Sequence, residues 1–143
     1  MAPSFVIQLN VTKMTTALEH FRNKLSFETD PSDLFHALEG GEHIFVIDAR
    51  KESAYEQEHI PGSINLPHRK MNHETTAHLD RTVLYITYCD GIGCNASTKG
   101  ALNMTRLGFK VKELIGGIDW WKKDGYATEG SRRSSGIKLS CAC

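Results

Sequence analysis

Two thiols stand five positions apart in Tyr88-Cys89-Asp90-Gly91-Ile92-Gly93-Cys94-Asn95, between an apolar run and a helix-like segment. Such a pair serves a metal knuckle, a disulfide, a phosphate loop, or one reactive cysteine inside a loop. Residues 90–94 must turn the chain back within a few positions, and Gly91 and Gly93 make unusual backbone angles sterically cheap. A compact turn of this kind points several N–H groups at one central atom, and the positive end of the following helix adds to their field. The result is an anion cradle around a sulfur. A free cysteine titrates near about 8.5, and a helix N-terminus lowers that toward neutrality, so the loop favours a thiolate at Cys89 and equally a persulfide anion. Asp90 pushes the other way, because a carboxylate beside the sulfur opposes a second negative charge. The loop dipoles are expected to win by a moderate margin.

The rival chemistries are weaker. A four-thiolate zinc site would have to recruit Cys141 and Cys143, and the spacings do not match a knuckle with two intervening residues in each pair. A cysteine phosphatase places an arginine six positions after its cysteine to clamp phosphate; here that position is Asn95, and Arg106 lies about three helical turns further on. Phosphate-ester hydrolysis and arsenate reduction by the same loop design are disfavoured. Cys94 has two readings: it only begins the next helix, which is favoured, or it forms a reversible disulfide with Cys89 that protects the site or releases bound sulfur. Cys141 and Cys143 are candidate resolving thiols within reach of the loop or of a partner, balanced by a reading as incidental surface residues. His68, His73 and His78 recur five apart, which does not put them on one helix face as a metal pair, and they are assigned to the surface. Asp48 and Arg50 are assigned the structural task of tying a strand end to a neighbouring loop; His59, before Pro61, is architectural.

The elements around the loop alternate. Met14, Ala17, Leu18, Phe21 and Leu25 keep helical spacing, giving an N-terminal helix of about three turns that packs on the domain as a flank. Asp30-Pro31-Ser32-Asp33 reads as an N-cap, a proline at the first helical position and an acidic first turn, with Gly40 as the stop. His43 to Asp48 and Thr82 to Tyr88 are near-continuous β-branched and aromatic runs, the pattern of strands covered on both faces. Helix is expected from Lys51 to His59, a short strand from Ser63 to Leu66, and a weaker helix from His73 to Leu79. Ala96, Gly100, Ala101, Met104 and Leu107 mark one helix face, stopped by Gly108. A strand from Lys110 to Leu114 and a helix from Ile118 to Lys123 follow; of Trp120 and Trp121, one should be core and the other half-exposed. Such alternation predicts an α/β fold with a parallel sheet core and helices on both faces. In that architecture ligands bind at the carboxyl ends of strands, where Cys89 lies.

A chain of 143 residues suits one domain with its own core, and 17 basic against 17 acidic residues give no charge excess that nucleic acid would require. Four cysteines, at 89, 94, 141 and 143, do not make a secreted disulfide framework. No run approaches a membrane span and no leader-like start is present, so a cytoplasmic protein with resting thiols reduced is expected, leaving Asn10-Val11-Thr12 without sugar. From Ala127 apolar density falls, predicting a mobile tail.

Ile47-Asp48-Ala49-Arg50, Glu58-His59-Ile60-Pro61-Gly62-Ser63-Ile64-Asn65, Tyr88-Cys89 and Gly116-Gly117-Ile118 with Trp120 and Trp121 resemble, in order and spacing, the single-domain rhodanese-like family. The resemblance covers about residues 28–126, leaving 1–27 as an N-terminal helical extension and 127–143 as a cysteine-bearing tail. It implies a sulfurtransferase with Cys89 as the persulfide-forming cysteine and Asp90, Gly91, Ile92, Gly93, Cys94 and Asn95 as the substrate-binding loop. No metal or organic cofactor is required. The implied partners are a sulfane-sulfur donor and a thiol or other nucleophilic acceptor, a sulfur-carrier protein among the candidates, with no nucleic acid and no membrane. Many members carry a basic residue at the sixth loop position to hold an anionic donor such as thiosulfate; Cys94 replaces it here, and Asp90 adds a negative charge. At about 4 Å and an effective dielectric of 20, one unit-charge contact amounts to roughly 4 kcal/mol before screening, so thiosulfate is expected to be a poor donor. The alternative is a binding or regulatory module on the same scaffold with little turnover.

Overall fold

The computed structural model describes residues 4–136, with side chains from residue 15 onward. Helix α1 spans Ser4–Phe27, strand β1 Glu28–Thr29, helix α2 Pro31–Glu39, β2 Ile44–Asp48, α3 Glu52–Gln57, β3 Ile64–Asn65, β4 Leu84–Tyr88, α4 Ala96–Arg106, β5 Lys110–Leu114 and α5 Gly117–Lys123, with a 3-10 turn at His68–Lys70. The strands form one sheet in the order β1-β5-β4-β2-β3. Every pairing is parallel.

The apolar runs of β2 and β4 are continuous because both of their faces are covered. Val46, Ile86 and Tyr88 point to one side and pack with Leu34 of α2, Ile118 and Trp121 of α5, Leu114 and Tyr126. Ile47 and Tyr85 point to the other, with Met104 of α4, Val83 and Phe109. Alternation by one residue thus divides a single hydrophobic run between two cores. Trp121 is buried and Trp120 is 42% exposed. The Asp30 carboxylate accepts the Asp33 N–H at 2.8 Å, capping α2 one residue before Pro31.

Four expectations are corrected. Helix α1 is 24 residues long, and the large apolar residues of its described part stay in solvent: Phe21 is 60% and Leu25 77% exposed. It meets the domain along the narrow edge formed by β1 and β5, because α2, α5 and α4 already cover the sheet faces. Residues 73–79 form turns rather than helix. Asn72 and Thr75 exchange side-chain hydrogen bonds with each other's N–H at 3.0 and 2.9 Å, and Thr76 Oγ1 donates to the Asn72 carbonyl, a local alternative that competes with helix. The pair Glu28–Thr29, too short to show as a strand pattern, joins the sheet beside β5.

The fourth correction concerns the tail. Residues 127–136 are packed: His59 and Glu129 exchange backbone hydrogen bonds at 2.9 Å, and the Arg132 N–H donates to the Gln57 carbonyl at 2.7 Å. Buried Thr128 donates its hydroxyl to Glu58 Oε2 at 2.6 Å, and Lys122 Nζ reaches Glu58 Oε1 at 2.7 Å. Low apolar content concealed this, since backbone and one carboxylate hold the segment. Cys141 and Cys143 lie outside the described residues.

Burial works against the Glu58 charge, but hydrogen bonds from Lys122 and Thr128, with the charges of Lys122 and Arg50, overcome it and hold the carboxyl below its ordinary range. A depressed folded-state pKa means stability present above the unfolded value near 4.5 and lost as pH falls through the lower folded value. Glu58→Gln is expected to cost about 1 kcal/mol at pH 7, with the deficit shrinking below pH ~4.5, as read by urea unfolding across pH. A deficit unchanged at pH 3 would count against this network. No described helix is long and apolar enough to cross a membrane.

Candidate active site

In-register pairing of Asp48 with Tyr88 ends β2 and β4 at one level, so Ala49 and Cys89 leave the sheet side by side. The Ala49 N–H continues the ladder to the Tyr88 carbonyl at 3.0 Å. Two residues beyond the fully buried Asp48, the Arg50 guanidinium folds back onto its carboxylate, with Nη2 at 2.6 Å from Oδ2 and Nε at 2.9 Å from Oδ1. The same guanidinium donates to the Glu58 carbonyl at 2.6 Å and, through Nη1, to Asp90 Oδ1 at 2.9 Å. Burial works against the Arg50 charge, but the Asp48 and Asp90 carboxylates more than offset it, and its pKa is raised. One side chain therefore clamps the end of β2, the chain before Ile60 and the loop after Cys89.

Tyr88 secures the other side. Its hydroxyl receives the Ile60 N–H and meets Ser63 Oγ, both at 3.1 Å, which anchors the Ile60-Pro61-Gly62-Ser63 turn under the site. Burial, then the charge of Asp48, pushes the phenol upward, so it stays neutral. The Thr87 hydroxyl donates to the Ser97 carbonyl at 3.0 Å, fixing the first turn of α4 on β4. Gly100 lets α4 approach: a Cβ there would stand 3.1 Å from the Cβ of Ala49.

Cys89 is 1% exposed at the floor of the loop. Its carbonyl accepts the Ile118 N–H at 3.0 Å, and that of Asp90 accepts the Asp119 N–H at 2.8 Å. This seats the start of α5 behind the loop and requires Gly117, whose φ is +58° and where a Cβ would collide with the Cys89 carbonyl oxygen and come within 2.9 Å of Asp90 C. The Cys94 N–H closes a turn on the Gly91 carbonyl at 3.2 Å. The N–H groups of Asp90, Gly91, Ile92, Gly93 and Asn95 find no acceptor among the described residues.

The turn also joins the sulfurs of Cys89 and Cys94 in a disulfide. The favoured reading of Cys94 as a mere helix start is thus corrected. The reason is distance: the turn sets the two Cα atoms 6.2 Å apart, within bonding range, which a separation of five in sequence does not reveal. Ligand atoms of Cys89, Asp90 and Cys94 lie within 4.8 Å of one another, but the two sulfurs are bonded together and the carboxylate is paired with Arg50.

A cavity of about 330 Å³ opens over Cys89 and Cys94, and its walls include Lys51, His68 and Arg69. Lys51 and Arg69 carry no sequence signal for this place, and His68 reads in the sequence as a surface histidine. The turn carrying His68 docks through its N–H on the Ala49 carbonyl at 3.2 Å, a contact without sequence signal. Burial, then the charges of Lys99 and Arg69, pushes the His68 pKa down, so the imidazole is neutral at pH 7. The rim is therefore cationic, and Arg50 balances the Asp90 carboxylate that the sequence alone left opposing Cys89. His59 stacks on Tyr55 with ring centroids 3.8 Å apart, away from the cavity lining. Another cavity of about 380 Å³ adjoins the amino ends of β2 and β4 and holds no cysteine.

Residues 30–124 match the Rhodanese-like domain family. The chain is similar to the thiosulfate sulfurtransferase GlpE of Coxiella burnetii, 35% identical over 81 residues, covering 55% of this chain and 72% of that protein. Among solved structures it is similar to the BH2092 protein of Bacillus halodurans, with a TM-score of 0.81, 41% identity, and coverage of 90% of this chain and 94% of that one. It also resembles the rhodanese-like domain of the Alr3790 protein of Anabaena sp., with a TM-score of 0.66, 27% identity, and coverage of 81% and 90%.

Proposed function

From the premise that this chain belongs to the Rhodanese-like domain family, we propose that it is a sulfurtransferase working through a persulfide on Cys89. One observation carries the reading. Cys89 lies at the carboxyl end of the central strand β4, on the floor of a cavity, inside a turn in which the N–H groups of Asp90, Gly91, Ile92, Gly93 and Asn95 find no acceptor among the described residues. With the disulfide opened, the Cys89 thiolate attacks the sulfane sulfur of a donor, the bond to the rest of the donor breaks, and that group leaves with the electron pair. In the second step a nucleophilic acceptor attacks the outer sulfur, and Cys89 departs as thiolate. The charge stays on sulfur throughout, so one set of backbone dipoles serves both resting states and the transition states between them. The domain needs no metal or organic cofactor for this chemistry.

Donor choice follows from the loop and the rim. Cys94 offers no cation where an oxyanion would lie, which favours persulfide donors, protein-bound or small, over thiosulfate. The penalty is smaller than the loop alone implies, because Arg50 pairs with Asp90 and Lys51 and Arg69 line the cavity. The test is mass spectrometry of the reduced protein after thiosulfate, glutathione persulfide and inorganic polysulfide. A gain of one sulfur mapped to Cys89 is expected, largest with the persulfide. No modification by any donor would overturn the sulfurtransferase reading in favour of a docking module; equal efficiency with micromolar thiosulfate would overturn the donor preference alone.

A further inference from the structure

Resting on the Cys89 persulfide, the geometry points to a second outcome for the bound sulfur, in which Cys94 discharges it as hydrosulfide. A persulfide offers two electrophilic sulfurs. The outer one extends into the cavity, where an external acceptor reaches it. The inner one is Cys89 Sγ, in a residue 1% exposed, and in the persulfide the outer sulfur stands between it and the cavity, so an external thiol meets the outer sulfur first. Cys94 does approach the inner one, since the turn closed by the Cys94 N–H on the Gly91 carbonyl already places the two sulfurs at bonding position.

The step balances. The Cys94 thiolate attacks Cys89 Sγ, the bond between Sγ and the outer sulfur breaks, and the outer sulfur leaves with the electron pair. The proton that Cys94 gives up passes to the outer sulfur before that bond breaks, so the group that departs is hydrosulfide and not the far more basic sulfide dianion. The sulfane sulfur is reduced and the two cysteine sulfurs are oxidised to the disulfide present in the structure. Hydrosulfide is a weaker base than an alkyl thiolate, and the lower the leaving group's pKa the faster it leaves. Tethering supplies the rest, because an internal thiol in place pays no translational entropy while an external acceptor does.

Resetting the site needs a dithiol reductant. One of its thiolates attacks Cys94, the half-buried and accessible end of the disulfide, and Cys89 leaves as the thiolate that the loop stabilises. The second thiol of the reductant then releases Cys94 and closes the reductant's own disulfide. The sum is reduction of a sulfane sulfur to sulfide by a dithiol, alongside transfer to acceptors. Which route dominates depends on whether an acceptor reaches the outer sulfur before Cys94 reaches the inner one.

The experiment uses the full chain with Cys141→Ser and Cys143→Ser, so that only the loop thiols remain, compared with the same chain carrying Cys94→Ser or Cys94→Ala. Each protein is reduced, desalted and given excess thiosulfate without oxygen or other thiol, and in parallel glutathione persulfide. Thiosulfate yields sulfite rather than sulfide as its own by-product, so a sulfide electrode reads discharge alone. The Cys94-containing protein is expected to release about one hydrosulfide per chain and to end with the Cys89–Cys94 disulfide. Both Cys94 variants are expected to accumulate the persulfide on Cys89 with at least about tenfold less sulfide. A Cys94-containing protein that keeps its persulfide and releases no sulfide overturns the discharge and leaves the transfer reading intact. So does the extra sulfur found on Cys94, which would mean relay. Failure of the Cys94 variants to gain sulfur from either donor overturns the Cys89 persulfide itself, and the discharge with it.

Discussion

Cys89→Ser is expected to lower sulfur transfer to the background rate, a fall of at least about 10⁴-fold, the scale on which loss of a covalent nucleophile is felt. A serine hydroxyl in the same cradle is not ionised near neutral pH, and its oxygen is no match for sulfur as a partner for sulfane sulfur. The loop would still bind an anion, so KM for the donor should move far less than kcat, and the split between the two separates lost chemistry from lost binding. The exchange is nearly isosteric at a residue that is 1% exposed, so the fold should persist. Steady-state kinetics with a persulfide donor, alongside circular dichroism, checks both halves. A variant that keeps a tenth of wild-type kcat would show that Cys89 does not carry the sulfur.

Arg50→Met is expected to be the most damaging change outside the nucleophile, costing about 3–5 kcal/mol of folding stability. The carboxylate of Asp48 is fully buried, and three of the guanidinium's hydrogen bonds go to it. Removing the cation leaves that charge buried with the Arg50 backbone N–H as its remaining partner from this pair, at 2.9 Å. The double change Asp48→Asn with Arg50→Met removes both charges and should recover part of the loss, a coupling that chemical denaturation of both singles and the double reads directly. If the single variant lost less than about 1 kcal/mol, the clamp would be ornamental. Arg50→Met should also free Asp90, bound by Nη1 at 2.9 Å, and return an unbalanced negative charge to the mouth of the site. Donor loading of this variant should therefore slow more for thiosulfate than for a neutral polysulfide.

Legibility followed the range of the interaction. The Asp30 cap, the Gly40 stop and β5 at Lys110–Leu114 each depend on residues close in sequence, and each is readable there, whereas which of Trp120 and Trp121 is buried depends on distant Leu34 and Phe35. Residues 73–79 read as a weak helix in the sequence but form turns, because Asn72 and Thr75 satisfy each other locally. The ordered course of residues 127–136 was invisible because its partners, Gln57, Glu58 and His59, lie about seventy residues earlier. Helix α1 showed its spacing truthfully, yet spacing says which face is apolar and not whether anything covers it.

The sequence by itself determined the α/β class and the place of Cys89 at a strand end, since these rest on periodicity; the loop itself turns without the unusual backbone angles expected of Gly91 and Gly93, neither of which takes a positive φ. Only the tertiary structure decided the electrostatics and partners of that cysteine. Arg50 cancels Asp90, Lys51, His68 and Arg69 come to the rim, and Cys94 bonds to Cys89, because each outcome depends on distances between atoms that the chain order does not encode.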